Sequence, residues 1–361
     1  MTMIELRYRM SFTTPAFLGN AGQAGQWRTP PVKALLRQWW RVAYAADHPG
    51  RLSVAAMRVA EGQLFGVAAD REGDSRKSRL RLRLSHWKLG ALKSWDGLEQ
   101  SPVPHPEVER TGYKVGPHAY LAFGPLDGRG GTKLSDKVNA AIAAKDEAEL
   151  LIAFPENVEA DRLRIALRML NQYGTLGGRS RNGWGSFSLT PVNGSPAFPT
   201  VLDPSLTLAW KDALAHDWPQ AIGKDDKGPL IWQTDALPDW RAAMRRLAEV
   251  KIALRTHKAF EFPHARADGQ IHPRHWLSYP VTNHEVFDWK RQGLRLPNSL
   301  RFKVRVDDSG KFRGVIFHMP CKPPAAFAPN DDQLARIWKQ VHQHLDGLKG
   351  DKNTHLDRIA A

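Results

Sequence analysis

Arg179 and Arg181 stand in the barest stretch of the chain, residues 174–189, which reads GTLGGRSRNGWGSFSL. Gly177 and Gly178 permit positive φ, so successive amide groups can turn to one side and cradle an anion. The two arginines add charge-assisted forks that suit phosphate. Gly183 and Gly185 remove side chains from both flanks of the Trp184 indole. This combination fits binding of a phosphate chain better than it fits bond making. Neither GxxxxGK[ST] nor GxGxxG occurs, so the stretch is not a nucleotide loop of either kind. A tight glycine crossing that serves packing alone remains the alternative.

A second basic group lies upstream. Lys33, Arg37 and Arg41 recur every four residues and form a stripe, with Trp40 and Tyr44 within or beside it. Val32, Leu35, Leu36, Trp39 and Ala43 recur at helical spacing and form the opposite, apolar side. No acidic residue falls between Arg28 and Ala46. A merely solvated helix face usually mixes signs, so the stripe is read as a binding face with two exposed aromatics.

Candidates for catalysis are fewer. His257, His264, His272, His275 and His284 cluster in one region, and metal-free RNA cleavage often uses histidine with Lys or Tyr. They make a poor zinc set, because no HxxxH pair and no second cysteine accompany them. Asp225–Asp226 and Asp331–Asp332 are surface-type pairs, the second suited to a helix start. Cys321, in MPCKPP, is the single cysteine. It has no activating pattern around it. The reading is therefore no catalytic residue, no metal and no cofactor, with a nuclease centre among the histidines as the competing possibility.

The chain has 361 residues, 42% of them hydrophobic, enough for a sizeable core in two domains or one large one. Lysine and arginine total 52 against 37 acids, giving +15 and a pI near 10.0. Such a field attracts phosphate polymers. Thirteen tryptophans add flat faces on which unstacked bases can lie, although most belong in the core. No apolar run is long enough to span a bilayer, the first residues do not read as a secretory signal, and one cysteine permits no internal disulfide. A cytoplasmic protein without membrane contact is expected.

The elements that must hold these groups follow from periodicity. Residues 4–12 alternate as a strand. Thr29 with Pro30 and Pro31 starts a helix that runs to about Ala46. Residues 78–87 form a strand with leucines on one face and Arg79, Arg81 and Arg83 on the other. Residues 147–154 read as a strand and 158–173 as an amphipathic helix, and the tail 184–190 alternates again. Residues 90–146 are an insertion with a helix near 134–145. The order strand, helix, strand, strand, helix, strand is that of a ferredoxin-like, RRM-like domain. The piece RNGWGSFSL echoes the RNP1 pattern of such sheets, with Asn182 as an extra residue. Beyond residue 195 come a long helix over 236–260, a hairpin of 301–306 with 312–319, and a closing helix over 331–350. The expected class is α+β, with two ferredoxin-like domains at 1–195 and 196–361 and a glycine-rich loop.

Four pieces together resemble a known family: FTTPAFLGNAGQ, then WRTPPVKALLRQWWRVAY, then EGQLFG with a basic strand after it, then GTLGGRSRNGWGSF. The chain resembles the RAMP superfamily of CRISPR-associated proteins over residues 3–190, and within it the family of the first subunit of the Cmr (type III-B) RNA-guided effector. That resemblance implies no intrinsic nuclease. It implies a seat where the 3′ part of the guide RNA and the 5′ part of the bound target lie, beside other Cmr subunits. Carried over by position, Arg28, Lys33, Arg37 and Arg41 would contact RNA backbone. Gly177, Gly178, Arg179, Arg181 and Trp184 would touch RNA or a neighbouring subunit. Apart from the resemblance, the residue reading expects Trp40 and Trp184 to supply sequence-tolerant stacking on bases. The 90–146 insertion departs from the family pattern, so no role transfers to it. A guide-processing endoribonuclease and a pure assembly scaffold are the alternatives.

Overall fold

The computed structural model describes residues 2–68, 75–109, 116–128, 131–156, 160–264 and 266–359. It is a mixed α+β chain with several antiparallel sheets. The chain divides into two compact units. One holds Met1–Ser94, Leu134–Ser180 and Trp184–Leu206; the other holds Trp95–Lys133, Arg181–Gly183 and Thr207–Ala361.

The first unit is built from strand β1 (Met3–Phe12), helices α1 (Thr29–Ala46) and α2 (Val54–Phe65), strands β2 (Arg81–Leu84) and β3 (Glu147–Pro155), helix α3 (Ala160–Tyr173) and strand β4 (Phe187–Val192). The sheet runs β2-β3-β1-β4 and every pairing is antiparallel. Alternation decides which side faces inward. Leu6, Tyr8, Met10 and Phe12 of β1 are buried, as are Ala148, Leu150, Ile152 and Phe154 of β3 and Phe187 and Leu189 of β4. The register places Tyr8 opposite Leu150 and Phe12 opposite Phe187, so these side chains share one face.

Helix α1 begins where the prolines require. Arg28 is extended, at φ −157° and ψ 146°, and the prolines fall in the first turn, where no amide donor is needed. Thr29 is therefore the first helical residue and not the cap, and no side chain caps this end. Val32, Leu36, Trp39 and Ala43 are buried. They meet α3, whose Leu163, Ala166, Leu167 and Leu170 are buried in turn. Helix α2 is absent from the periodicity reading, and Ser53 caps it by accepting from the Ala56 amide at 3.2 Å.

Residues 140–142 are extended rather than helical, against the helix expected near 134–145. Ala140, Ala141 and Ile142 bridge Ala24, Leu92 and Ala16. Alanine's helix propensity is a weak preference, and long-range backbone pairing overrides it.

The second unit repeats the element order. Strand β5 (Ile231–Gln233) precedes α4 (Trp240–Thr256), and β6 (Leu300–Val306) and β7 (Phe312–His318) form a hairpin. Helix α5 (Asp331–Gly347) and β8 (Asp357–Arg358) follow. The sheet order is β6-β7-β5-β8, again antiparallel throughout. Asp239 caps α4 by accepting from the Ala242 amide at 2.9 Å, and Asn330 caps α5 by accepting from Gln333 at 2.8 Å. The Asp239 cap starts α4 at Trp240 rather than at 236, and this helix ends at Thr256 rather than 260; α5 starts at Asp331 as expected and ends at Gly347 rather than 350. Residues 95–133, most of the insertion, belong to this unit. There His118 stacks on Trp240 at 5.3 Å and lies edge-on to Trp95. Among the described residues no helix is long and apolar enough to cross a membrane.

Candidate nucleic-acid interface

The glycine run packs its backbone against its own chain. The Gly178 amide donates to the Phe17 carbonyl at 2.8 Å, and the Gly185 amide donates to the Pro15 carbonyl at 2.9 Å. Gly177 lies at φ +95°, and a Cβ there would stand 2.7 Å from the Phe17 oxygen. At Gly185, with φ +65°, a Cβ would fall 1.8 Å from the Leu176 oxygen. Only glycine fits such approaches. The Thr14 hydroxyl accepts from the Ser186 amide at 3.0 Å. Two of the family-like pieces, FTTPAFLG and the glycine run, are thus packing partners. The amide of Gly178, expected to help cradle an anion, is already bonded.

Trp184 is fully buried, with its ring 5.4 Å from that of Phe17. The stacking role expected of it is closed off, because the indole is core. Arg179 is exposed and adopts φ +55°. Among the described residues it has no acid at ion-pair distance. Arg181 belongs to the second unit. Its guanidinium donates to the Asn298 carbonyl at 2.9 Å, its carbonyl accepts from the Phe302 amide, and burial lowers its pKa.

The stripe on α1 also differs from expectation. Arg37 Nε donates to Glu61 at 2.6 Å, and Arg41 holds the same carboxylate through Nε at 3.0 Å and Nη2 at 2.8 Å. The Glu61 side chain is only 4% exposed. The acid missing from α1 is supplied by α2, and its sign in the sequence was the first letter of EGQLFG. Trp40 and Tyr44 are buried, not exposed. Trp40 lies 5.3 Å from Tyr44 and 5.9 Å from Phe65, and the Arg162 guanidinium sits over both Trp40 and Tyr44. Neither ring has a face free for a base. Lys33 and Arg28 are half-buried. Burial, then the neighbouring Arg37, lowers the pKa of Lys33. Arg28 Nε is buried and has no hydrogen-bond partner among the described residues.

The outer face of the first sheet carries further charge. Arg7 pairs with Glu5 and Glu149, and Arg9 with Glu147. Arg81 and Arg83 on edge strand β2 stand opposite Ala153 and Leu151 of β3 and are exposed. Among the described residues neither has an acidic partner. The aromatics of these strands, Tyr8, Phe12, Phe154 and Phe187, all lie in the buried set. This face can therefore engage phosphate but offers no aromatic of its own for a base to stack on.

Histidine chemistry is constrained by tautomer. His275, 1% exposed, accepts from the His272 amide at Nδ1, so Nε2 carries the proton and donates to the His284 carbonyl at 2.9 Å. Burial holds its pKa down to about 4. His284 stacks on Phe262 at 3.8 Å, and His272 bonds Asp268. His264 is exposed. His257 follows the last turn of α4. Asp235, His355 and Asp357 converge closely enough to hold a cation. However, His355 Nδ1 accepts from the Gly350 amide at 2.7 Å, which leaves the proton on Nε2 facing the carboxylates. That nitrogen is a donor to Asp357 and not a free ligand.

These features define an α+β protein in which some surface cations are paired with acids and others, Arg81, Arg83 and Arg179, have no acidic partner among the described residues. No protein-family model matches the chain, and no curated protein matches it in sequence. Solved structures do. The chain is similar to Cmr1 from Pyrococcus furiosus, solved in its apo form, at 16% identity. That match covers 94% of this chain and 97% of that one, with a TM-score of 0.43. It is also similar to a chain of the type III-B Cmr-beta complex bound to cognate target RNA. There the identity is 12%, the coverage 94% and 100%, and the TM-score 0.49. A chain of the Cmr-beta complex with target RNA, AMPPnP and single-stranded DNA gives 14% identity, coverage of 94% and 99%, and a TM-score of 0.45.

Proposed function

We propose that the chain is a non-catalytic RNA-binding subunit of a type III-B CRISPR (Cmr) ribonucleoprotein, built on two ferredoxin-like domains. Its ligands are guide RNA, target RNA or both, and its protein partners are other Cmr subunits. The four family-like sequence pieces support the assignment to this assembly. The strand order of each sheet, with the first and third strands of the βαββαβ series at the centre, supports the ferredoxin-like reading.

One observation carries the RNA reading. Arg28, Lys33, Arg81, Arg83 and Arg179, all in the first unit, have no ion-pair partner among the described residues, while Arg37 and Arg41 are tied to Glu61. Free cations on a chain of net charge +15 are a phosphate-binding set. Bound RNA would be held through its backbone, independent of base identity. The test is a labelled guide-like single-stranded RNA mixed with the full chain in EDTA and resolved on native and denaturing gels. A mobility shift with uncut RNA supports the reading. Discrete cleavage would replace it with the endoribonuclease. Assembly with Cmr subunits but no RNA shift would replace it with the scaffold.

A further inference from the structure

The second unit contains a group of buried polar atoms that have no hydrogen-bond partner among the described residues. They are Nδ1 of His105, the Tyr120 hydroxyl, Nε of Arg255 and Nε of Arg274. These four residues are not scattered. The His105 and Tyr120 rings lie 5.3 Å apart. Arg255 and Arg274 are electrostatic neighbours of each other, of Tyr120 and of His105. Arg274 is paired with Glu107 through another nitrogen, and Lys251 lies 5.7 Å over the Tyr120 ring. Beside them is a narrow cleft whose walls include Lys251, Arg255, Ser278, Asn298, Phe302 and Trp338.

A buried donor without an acceptor costs roughly 1–3 kcal/mol, and native structures hold few of them. Several in one place, two of them guanidinium nitrogens that can only donate, call for a guest rich in acceptor oxygens. The charge agrees: Arg255 and Arg274 are set beside Glu107, two cations to one acid. A phosphate group has only acceptor oxygens at its surface and matches guanidinium geometry. A carboxamide or a cation matches neither the donors nor the charge.

We infer that His105, Tyr120, Arg255 and Arg274 form an oxyanion site in the second unit that takes a phosphate group of the RNA backbone. This rests on the RNA-binding reading for the source of the phosphate, though not for the anion itself. It gives the 90–146 insertion a role, because His105, Glu107 and Tyr120 all lie in it. The site binds one phosphate tightly in a recess, unlike the unpaired cations of the first unit, which contact the backbone loosely.

The test uses the full chain, Tyr120→Phe, which removes only a hydroxyl, and Arg255→Met, which keeps the aliphatic bulk. Each is melted with inorganic phosphate or with chloride at matched ionic strength and titrated with labelled single-stranded RNA. The site predicts a phosphate-specific rise in the wild-type melting temperature that both variants lack. It also predicts RNA affinity at least about tenfold weaker in Arg255→Met, the size expected for removal of a charge-assisted bond. Absence of the phosphate shift together with unchanged RNA affinity in both variants overturns it, and the orphan atoms then hold ordered water only. A phosphate shift with unchanged RNA affinity overturns the RNA source and leaves free phosphate. If wild type binds no RNA at all, the functional reading fails, while the phosphate arm still decides the anion site.

Discussion

Arg179 joins a left-handed backbone conformation to an exposed guanidinium. A left-handed arginine costs about 1 kcal/mol relative to glycine at the same φ, and here the side chain is exposed and has no acidic partner among the described residues. Arg179→Gly should hold or raise the melting temperature while weakening RNA binding, and an unchanged RNA affinity would remove Arg179 from the interface. Arg37 and Arg41 behave oppositely. Replacing both with alanine strands a buried carboxylate, Glu61, and should cost ~3 kcal/mol of stability in chemical denaturation. Any accompanying loss of RNA binding must be corrected for that. The alternation of arginine and leucine in 79–84 was legible because strand period determines facing. The burial of Trp40 was not, because the groups that cover it, the Phe65 ring and the Arg162 guanidinium, come from other elements. Trp184 was hidden for the same reason: its partner, Phe17, is distant in sequence.

At the scale of elements, what could be read was whatever carries local punctuation. Helix α1 announces itself through Pro30 and Pro31, and the β6–β7 hairpin through DDSG, where Asp307 accepts from Ser309 and Lys311. Strands β5 and β8 span three and two residues, too short for alternation to show, so half of the second sheet had no signature. Arg358 fastens β8 by bonding Asp225 and the Gly228 carbonyl, a long-range tie that periodicity cannot show. The glycine run was legible as special but not as packed, since its partners at Pro15–Phe17 lie far upstream. Two predictions belong here. Gly185→Ala should destabilise the first unit by more than ~2 kcal/mol in urea unfolding, because the new methyl meets the Leu176 oxygen at a left-handed φ. Replacing Arg81 and Arg83 with glutamine should leave folding intact and reduce the salt slope of RNA binding by about 1.4, or about 0.7 for each phosphate no longer neutralised.

For the whole molecule, charge and protonation set the working conditions. Burial holds His275, His342 and His344 down to about 4, from 6.5, and His318 well below its usual value. Between pH 6.5 and 4 the unfolded chain binds protons that the folded chain does not, so stability rises with pH across that window. The melting temperature should therefore fall as pH is lowered from 7 toward 4, and a flat profile would contradict the buried neutral histidines. The central claim, that a chain of charge +15 holds RNA through its backbone and leaves it uncut, is tested most directly by one titration. Labelled single-stranded RNA is bound to the full chain in EDTA at a series of salt concentrations, and its length is checked afterwards. With Arg28, Lys33, Arg81, Arg83 and Arg179 all engaged, the RNA should stay intact and log K should fall against log salt with a slope of about −3.5. RNA that fails to bind, binds independently of salt, or is recovered cleaved would contradict it.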